Sequence, residues 1–233
     1  MKTLSYYRSD VLETTALADP LRGLYEIYDR IERSQAQWIS ASPFRCSEGC
    51  GSCCENFEPD ILDVEASFLA AWMLLNQRER IKTLNFDSEK TGCLLADPDN
   101  SYHCTVYEGR PLICRLFAYS GDRGKDGRVR YRPCKFMKGD YMNNGTGRAY
   151  TEQELTELFN TLPPVMGDLT AQATLLLPER SGDRYPLREI LPAALVKIQH
   201  LMDLAAFSQV DITGNGNNDG DNDNDGAPLP QAS

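Results

Sequence analysis

The chain is short of positive charge: 24 Lys and Arg face 34 Asp and Glu, for a formal net charge of −10. A protein that binds duplex nucleic acid needs clustered cations to replace the counterions condensed on phosphate, so nucleic acid is not expected as a partner. Five of the acids (Asp211, Asp219, Asp221, Asp223 and Asp225) lie beyond residue 210 with no Lys or Arg among them, which leaves the rest of the chain mildly acidic. Long apolar runs are also lacking. Met1 to Asp10 has no hydrophobic leader core, and no later stretch reads as long enough to cross a bilayer, so a cytoplasmic protein without a membrane partner is expected. Histidine is nearly absent, with only His103 and His200. No Ser-His-Asp arrangement, phosphate-cradling glycine loop or dinucleotide fingerprint stands in the sequence, and no Cys-x-x-Cys-His for covalent haem.

What is present is apolar matter for one globular domain with room for a small second lobe: 233 residues, 41% hydrophobic and 25% charged. From Asp19 to Ser40, Leu21, Leu24, Ile27, Tyr28, Ile31 and Trp38 recur at helical spacing, with Glu26, Arg30 and Arg33 on the other face. A segment rich in Cys, Gly and Ser follows from Ser42 to Pro59. Asp63 is then a candidate cap for a helix through Val64, Phe68, Leu69, Trp72 and Leu75. From Thr91 to Cys134 the pattern breaks into short apolar pieces between turns, with too few long side chains to form a core of their own, so metal crosslinks are expected to fix its shape. Thr151-Glu152-Gln153-Glu154 matches a capping box for a helix that Pro163-Pro164 ends. Further helices are expected over Val165 to Leu177 and Pro186 to Phe207. The fold class is therefore mainly α, with an irregular, cysteine-rich, metal-stabilised central lobe of small α+β character. Four stretches follow: an N-terminal helical segment (1–43), a cysteine-cluster metal-binding domain (44–135), a C-terminal helical segment (136–210) and a disordered acidic tail (211–233).

Eight cysteines in a reducing compartment point away from disulfides and toward metal or redox chemistry. They fall as Cys46, Cys50, Cys53 and Cys54 within nine residues, then Cys93, Cys104, Cys114 and Cys134 spread over the irregular lobe. Four thiolates complete either a tetrahedral zinc site or one cubane cluster, so the total matches two such sites. Gly49, Gly51 and Ser52 let the backbone wrap tightly around Cys50-x-x-Cys53. Adjacent side chains point in different directions, so Cys53 and Cys54 are expected to serve two metals, or one metal and the core, with the two sequence groups interleaved in space. Pro111 suits the start of a helix, which places Cys114 in an opening turn whose amides favour thiolate, while Arg110 and Arg115 can offset the negative charge of a tetrathiolate site.

The run Cys46-x-x-x-Cys50-Gly-Ser-Cys53-Cys54, then Gly92-Cys93-Leu94-Leu95, then Cys104-x-Val106-Tyr107-Glu108-x-Arg110-Pro111-x-x-Cys114-Arg115, resembles the YkgJ-type cysteine-cluster family over about residues 44 to 135. That family is described as zinc- or iron-chelating and is often labelled an iron-sulfur oxidoreductase. The resemblance implies a bound iron-sulfur cluster, with zinc as the alternative, and a protein redox partner. A structural zinc module that recruits another protein is the competing reading, and a thioredoxin-like use of Cys50-Gly-Ser-Cys53 finds no βαβ pattern around it. Taken alone, Cys134 also reads as core packing. His103 reads as an exposed turn residue and His200 as structural. Asp221-x-Asp223-x-Asp225-Gly226 begins like a calcium loop, but the twelfth position is Ala232 and not Glu.

Overall fold

The structure, a computed structural model, describes residues 12–87, 91–97, 99, 103–137, 148–177 and 182–213. About 53% of the described residues are helical and the few strands are short, so the protein is mainly α with some β and its cysteines cluster centrally. Helix α1 (Ala18–Ala41) buries Leu21, Leu24, Ile27, Tyr28, Ile31, Gln35 and Trp38, the apolar stripe legible in the sequence. Helix α3 (Asp63–Asn76) is apolar nearly all round and buries ten of its residues, from Val64 to Leu74. It is the central helix. On one side Tyr28 of α1 meets Phe68 edge-on, with ring centroids 5.1 Å apart. The long C-terminal helix α8 (Leu187–Thr213) also packs on it, burying Leu187, Leu191, Ala194, Leu195 and Ile198.

Two strands that the sequence pattern did not signal place these helices side by side. Strand β1 (Asp60–Leu62) leads directly into α3 and β5 (Arg184–Pro186) into α8; they pair antiparallel, with Ile61 opposite Tyr185. A second sheet joins β2 (Asp122–Arg123), β3 (Val129–Tyr131) and β4 (Tyr150–Thr151) in that order, all antiparallel. The expectation that the irregular lobe lacks apolar packing is corrected here. Val106, Leu112 and Leu116 enter the main core, while Val129 and Tyr131 join Trp38, Phe44, Tyr150 and Leu155 in a second cluster. Phe44 lies 5.1 to 5.9 Å from the rings of Trp38, Tyr131, Tyr150 and Phe159. The lobe's own Val129 and Tyr131 thus pack with aromatic rings brought from outside it.

Helix α6 (Glu152–Phe159) has the capping box read from sequence: Thr151 Oγ1 accepts the Glu154 N–H, and Glu154 accepts the Thr151 N–H at 2.8 Å. It ends at Asn160 in a left-handed conformation (φ 51°), before the prolines are reached. Asp63 is the first helical residue of α3 and not its cap; Glu65 instead accepts the Leu62 N–H at 2.9 Å. Helix α7 (Met166–Thr174) lies within the expected span. By length and composition Leu187–Phe207 of α8 does suffice to cross a membrane, contrary to expectation, and here one face of it forms core. The calcium-like loop and the acidic tail beyond Thr213, like the first ten residues, lie outside the described residues.

Candidate metal centre

The first cysteine group occupies a loop and a single helical turn, α2 (Ser52–Glu55). Tyr119 fixes its start, its hydroxyl accepting the Cys46 N–H at 2.8 Å. The Cys50 N–H returns to Ser47 O at 3.1 Å, a turn that Gly49 closes at φ +69°. The Cys54 N–H bonds Gly51 O at 2.7 Å. That turn presents Cys53 and Cys54 together, their sulfurs 3.9 Å apart.

The second group is brought to the first by backbone. The Cys93 N–H donates to Cys54 O at 3.0 Å. Gly92 allows the approach: at φ +92°, a Cβ there would stand 2.3 Å from Glu55 O. Cys93 and Cys104 lie on opposite arms of a narrow loop, closed by the Ala96–Cys104 bridge and by the Thr105 N–H to Leu95 O at 3.1 Å. Both pack against the main core. Cys114 is carried by helix α5 (Leu112–Leu116), with Pro111 as its N-cap and not its first residue. Cys134 goes elsewhere, packing against the aromatic cluster, as Tyr119 does.

Arg115 holds α5 in place. Its buried guanidinium donates to Arg110 O at 2.7 Å and to Glu108 O, pairs with Glu32 at 3.2 Å and lies 4.0 Å over the Tyr28 ring. The Gln35 amide caps the arrangement by donating to Arg115 O at 2.6 Å. These contacts make Arg115 a clamp between α1 and the cysteine loop, and its charge also favours thiolate at Cys104. Arg110 stacks over Tyr107 at 3.6 Å, its buried Nε has no hydrogen-bond partner among the described residues, and its charge favours thiolate at Cys53, Cys104 and Cys114.

Burial works against ionisation of Cys46, Cys54, Cys93, Cys104 and Cys114. Burial pushes Cys93 up to about 11, with Cys104 and Glu58 adding to it. Burial also raises Cys46 to about 11, helped by Cys50, Cys134 and Cys53. Cys104 and Cys114 are raised for the same first reason. For Cys114 this overrides the Arg110 charge that favours its thiolate, because desolvation of a buried charge outweighs it. Within the vicinal pair, the hydrogen bond from Cys54 holds Cys53 down to about 6, while Cys54 itself is driven well up by that bond, by burial and by Cys93 and Cys104.

Among the described residues, no three His, Cys, Asp or Glu side chains stand close enough to grip a single ion. Cys53 and Cys54 are adjacent, the backbone of Cys54 meets that of Cys93, and Cys134 packs apart against the aromatic cluster. A donor set made wholly of sulfur fits a thiophilic metal: zinc, copper(I) or iron-sulfur. His103 is no exposed turn residue. It is half-buried at φ +51°, its ring pressed against Gly51, and its charge favours the Cys53 thiolate. His200 is exposed on α8. Sequence reasoning did not single out Glu65, Gln35 or Tyr119, because a carboxylate, an amide and a phenol that bond backbone far along the chain leave no local pattern.

Residues 45–141 match the family model CxxCxxCC, described as "Putative zinc- or iron-chelating domain". No curated protein and no solved structure is similar enough to the chain to count as a match.

Proposed function

We propose, from the membership of residues 45–141 in the CxxCxxCC family, that this chelating segment binds iron-sulfur through its cysteines and passes electrons to a protein partner in the cytoplasm. The observation that carries the reading is the backbone around the second group. The backbone at Leu95 and Ala96 favours the Cys93 thiolate against the burial that disfavours it, and the backbone at Val106 does the same for Cys104. Backbone N–H donors, with burial and nearby charge, are the means by which a protein stabilises a thiolate cluster and sets its potential. Arg110 adds a cation at the same place. When bound, the cluster would supply one-electron chemistry. The chain's residues hold the thiolates, shield the second group from water and neutralise part of its charge.

The test is iron, zinc and acid-labile sulfide per chain on protein purified without oxygen, with a visible spectrum before and after dithionite. Iron with matching sulfide and a spectrum that bleaches on reduction is the expected result. Zinc without sulfide, in a colourless and redox-silent protein, would overturn the electron-transfer reading and leave a structural zinc module.

A further inference from the structure

We infer that the acidic segment after α8 docks on the protein's own arginine face, laying Asp219, Asp221, Asp223 and Asp225 along Arg128, Arg130 and Arg132 at strand β3. The inference goes beyond the chelating reading and needs no bound metal.

The chain is acidic as a whole, but its charges are unevenly spread. Six of its 24 Lys and Arg fall between Arg123 and Lys135, with Asp126 the single acid among them. Side chains alternate faces along a strand, and Val129 and Tyr131 are buried, so positions 128, 130 and 132 share the outward face. Part of that charge is engaged. Arg130 pairs with Asp126 at 2.7 Å and stands opposite Asp122, and Arg123 pairs with Asp168 at 2.7 Å. Arg128 shares a shallow cleft with Glu152 and Glu157, and Glu152 already accepts the Val129 N–H at 2.7 Å. The exposed Lys125, Arg128, Arg132 and Lys135 form no ion pair among the described residues, which leaves the face a surplus of positive charge.

The pattern of the acidic segment matches that face. Its acids stand at every second position from 219 to 225, and from Gly214 to Gly226 there is neither a cation nor an apolar side chain. In an extended chain such acids share one face and repeat every ~6.6 Å, the repeat at which the β3 arginines stand. Reach is sufficient as well. Asp219 lies six residues beyond Thr213, the last residue of α8, and Asp225 twelve. At about 3.3 Å per residue these acids reach about 20 to 40 Å, comparable with the breadth of a domain whose radius of gyration is about 17 Å. Exposed ion pairs are individually weak, but tethering on one chain supplies the acids at millimolar local concentration. The contact lies beside Cys134, two residues past Arg132, so a partner with an acidic surface must displace the segment to reach that end of the chelating region.

The experiment is zero-length carbodiimide crosslinking of the full chain, read by peptide mass spectrometry. Lys125 and Lys135 flank the arginine face and should join to the acids at 219–225, whereas Lys82, after α4, and Lys197, on α8, should not. Arg128→Glu with Arg132→Glu keeps both lysines and all four acids but reverses the face, and should lower those crosslinks about fivefold or more. Both arginines are exposed, so the fold should survive, which circular dichroism checks. Wild type in about 0.5 M salt, where the Debye length is about 4 Å, should show the same loss without any substitution. Absence of these crosslinks, equal crosslinking of all four lysines, or no change in the double variant and in salt would overturn the docking. Mixing chains grown with light and heavy nitrogen separates the occupants. Crosslinks within one isotope support the self-contact, and light-to-heavy crosslinks would overturn it in favour of a second copy.

Discussion

Glu65 Oε1 accepts the backbone N–H of Leu112 at 2.6 Å across 47 residues of chain. The other oxygen of the same buried carboxylate accepts the Leu62 N–H at 2.9 Å. One side chain thus caps α3 and at the same time seats the first turn of α5, which carries Cys114. Burial raises the Glu65 carboxyl, and the two amides act against that rise.

Replacing Glu65 by alanine should therefore leave two buried amides without acceptors and cost about 3 kcal/mol of stability. Glu65→Gln, which keeps one carbonyl oxygen, should cost less. Urea unfolding of the three proteins checks the order, and metal content checks the link to Cys114. If Glu65→Ala unfolds like wild type, the carboxylate is not what holds α5.

Gly92 and Gly49 both have positive φ, yet they should respond differently to alanine. A Cβ at Gly92 would strike Glu55 O at 2.3 Å, beside the Cys54–Cys93 hydrogen bond, whereas nothing lies within 4 Å of a Cβ at Gly49. Gly49→Ala should cost about 1 kcal/mol, the strain of a left-handed residue. Gly92→Ala should cost more than that and also lower metal loading, because the backbone of α2 must shift. Equal effects on loading would show that the close approach at residue 92 is not needed.

The capping carboxylate of α6 predicts an acid limb. Arg148, at 2.8 and 3.1 Å, and the Thr151 N–H hold Glu154 down to about 2 from an ordinary 4.5. A depressed carboxylate stabilises the fold at pH values above its unfolded pKa, and that contribution is lost as pH falls from about 4.5 toward 2. Thermal melts from pH 7 to 2.5 should show wild type losing stability more steeply at the acid end than Glu154→Gln. Parallel curves would place the acid sensitivity elsewhere.

Much of the helical frame was legible because its cause is local. The stripe from Leu21 to Trp38 and the Thr151–Glu154 box each declare themselves within a few residues. Strands β1 and β5 did not, since three-residue strands have no room for a periodic pattern and exist only through each other. The aromatic cluster escaped notice for a related reason: Trp38, Phe44, Tyr131, Tyr150 and Phe159 come from five separate places in the chain. Likewise, the neighbours of Cys114 were legible but not which would win, because burial is a property of the fold and here it outweighs the charge of Arg110.

By itself the sequence determined the kind of chemistry. Eight thiols, the glycines that let their loops turn tightly and an arginine beside them are fixed by composition and spacing, and such a donor set admits only soft metals. Tertiary structure decided which thiols are neighbours. Cys134 lies by the aromatic core, Cys46 is held by Tyr119, and the backbone of Cys54 meets that of Cys93, because long-range hydrogen bonds, the close approach at Gly92 and the two cores bring distant segments together. Spacing along a chain limits only what adjacent residues can reach. Packing and long-range hydrogen bonds choose among the partners that remain.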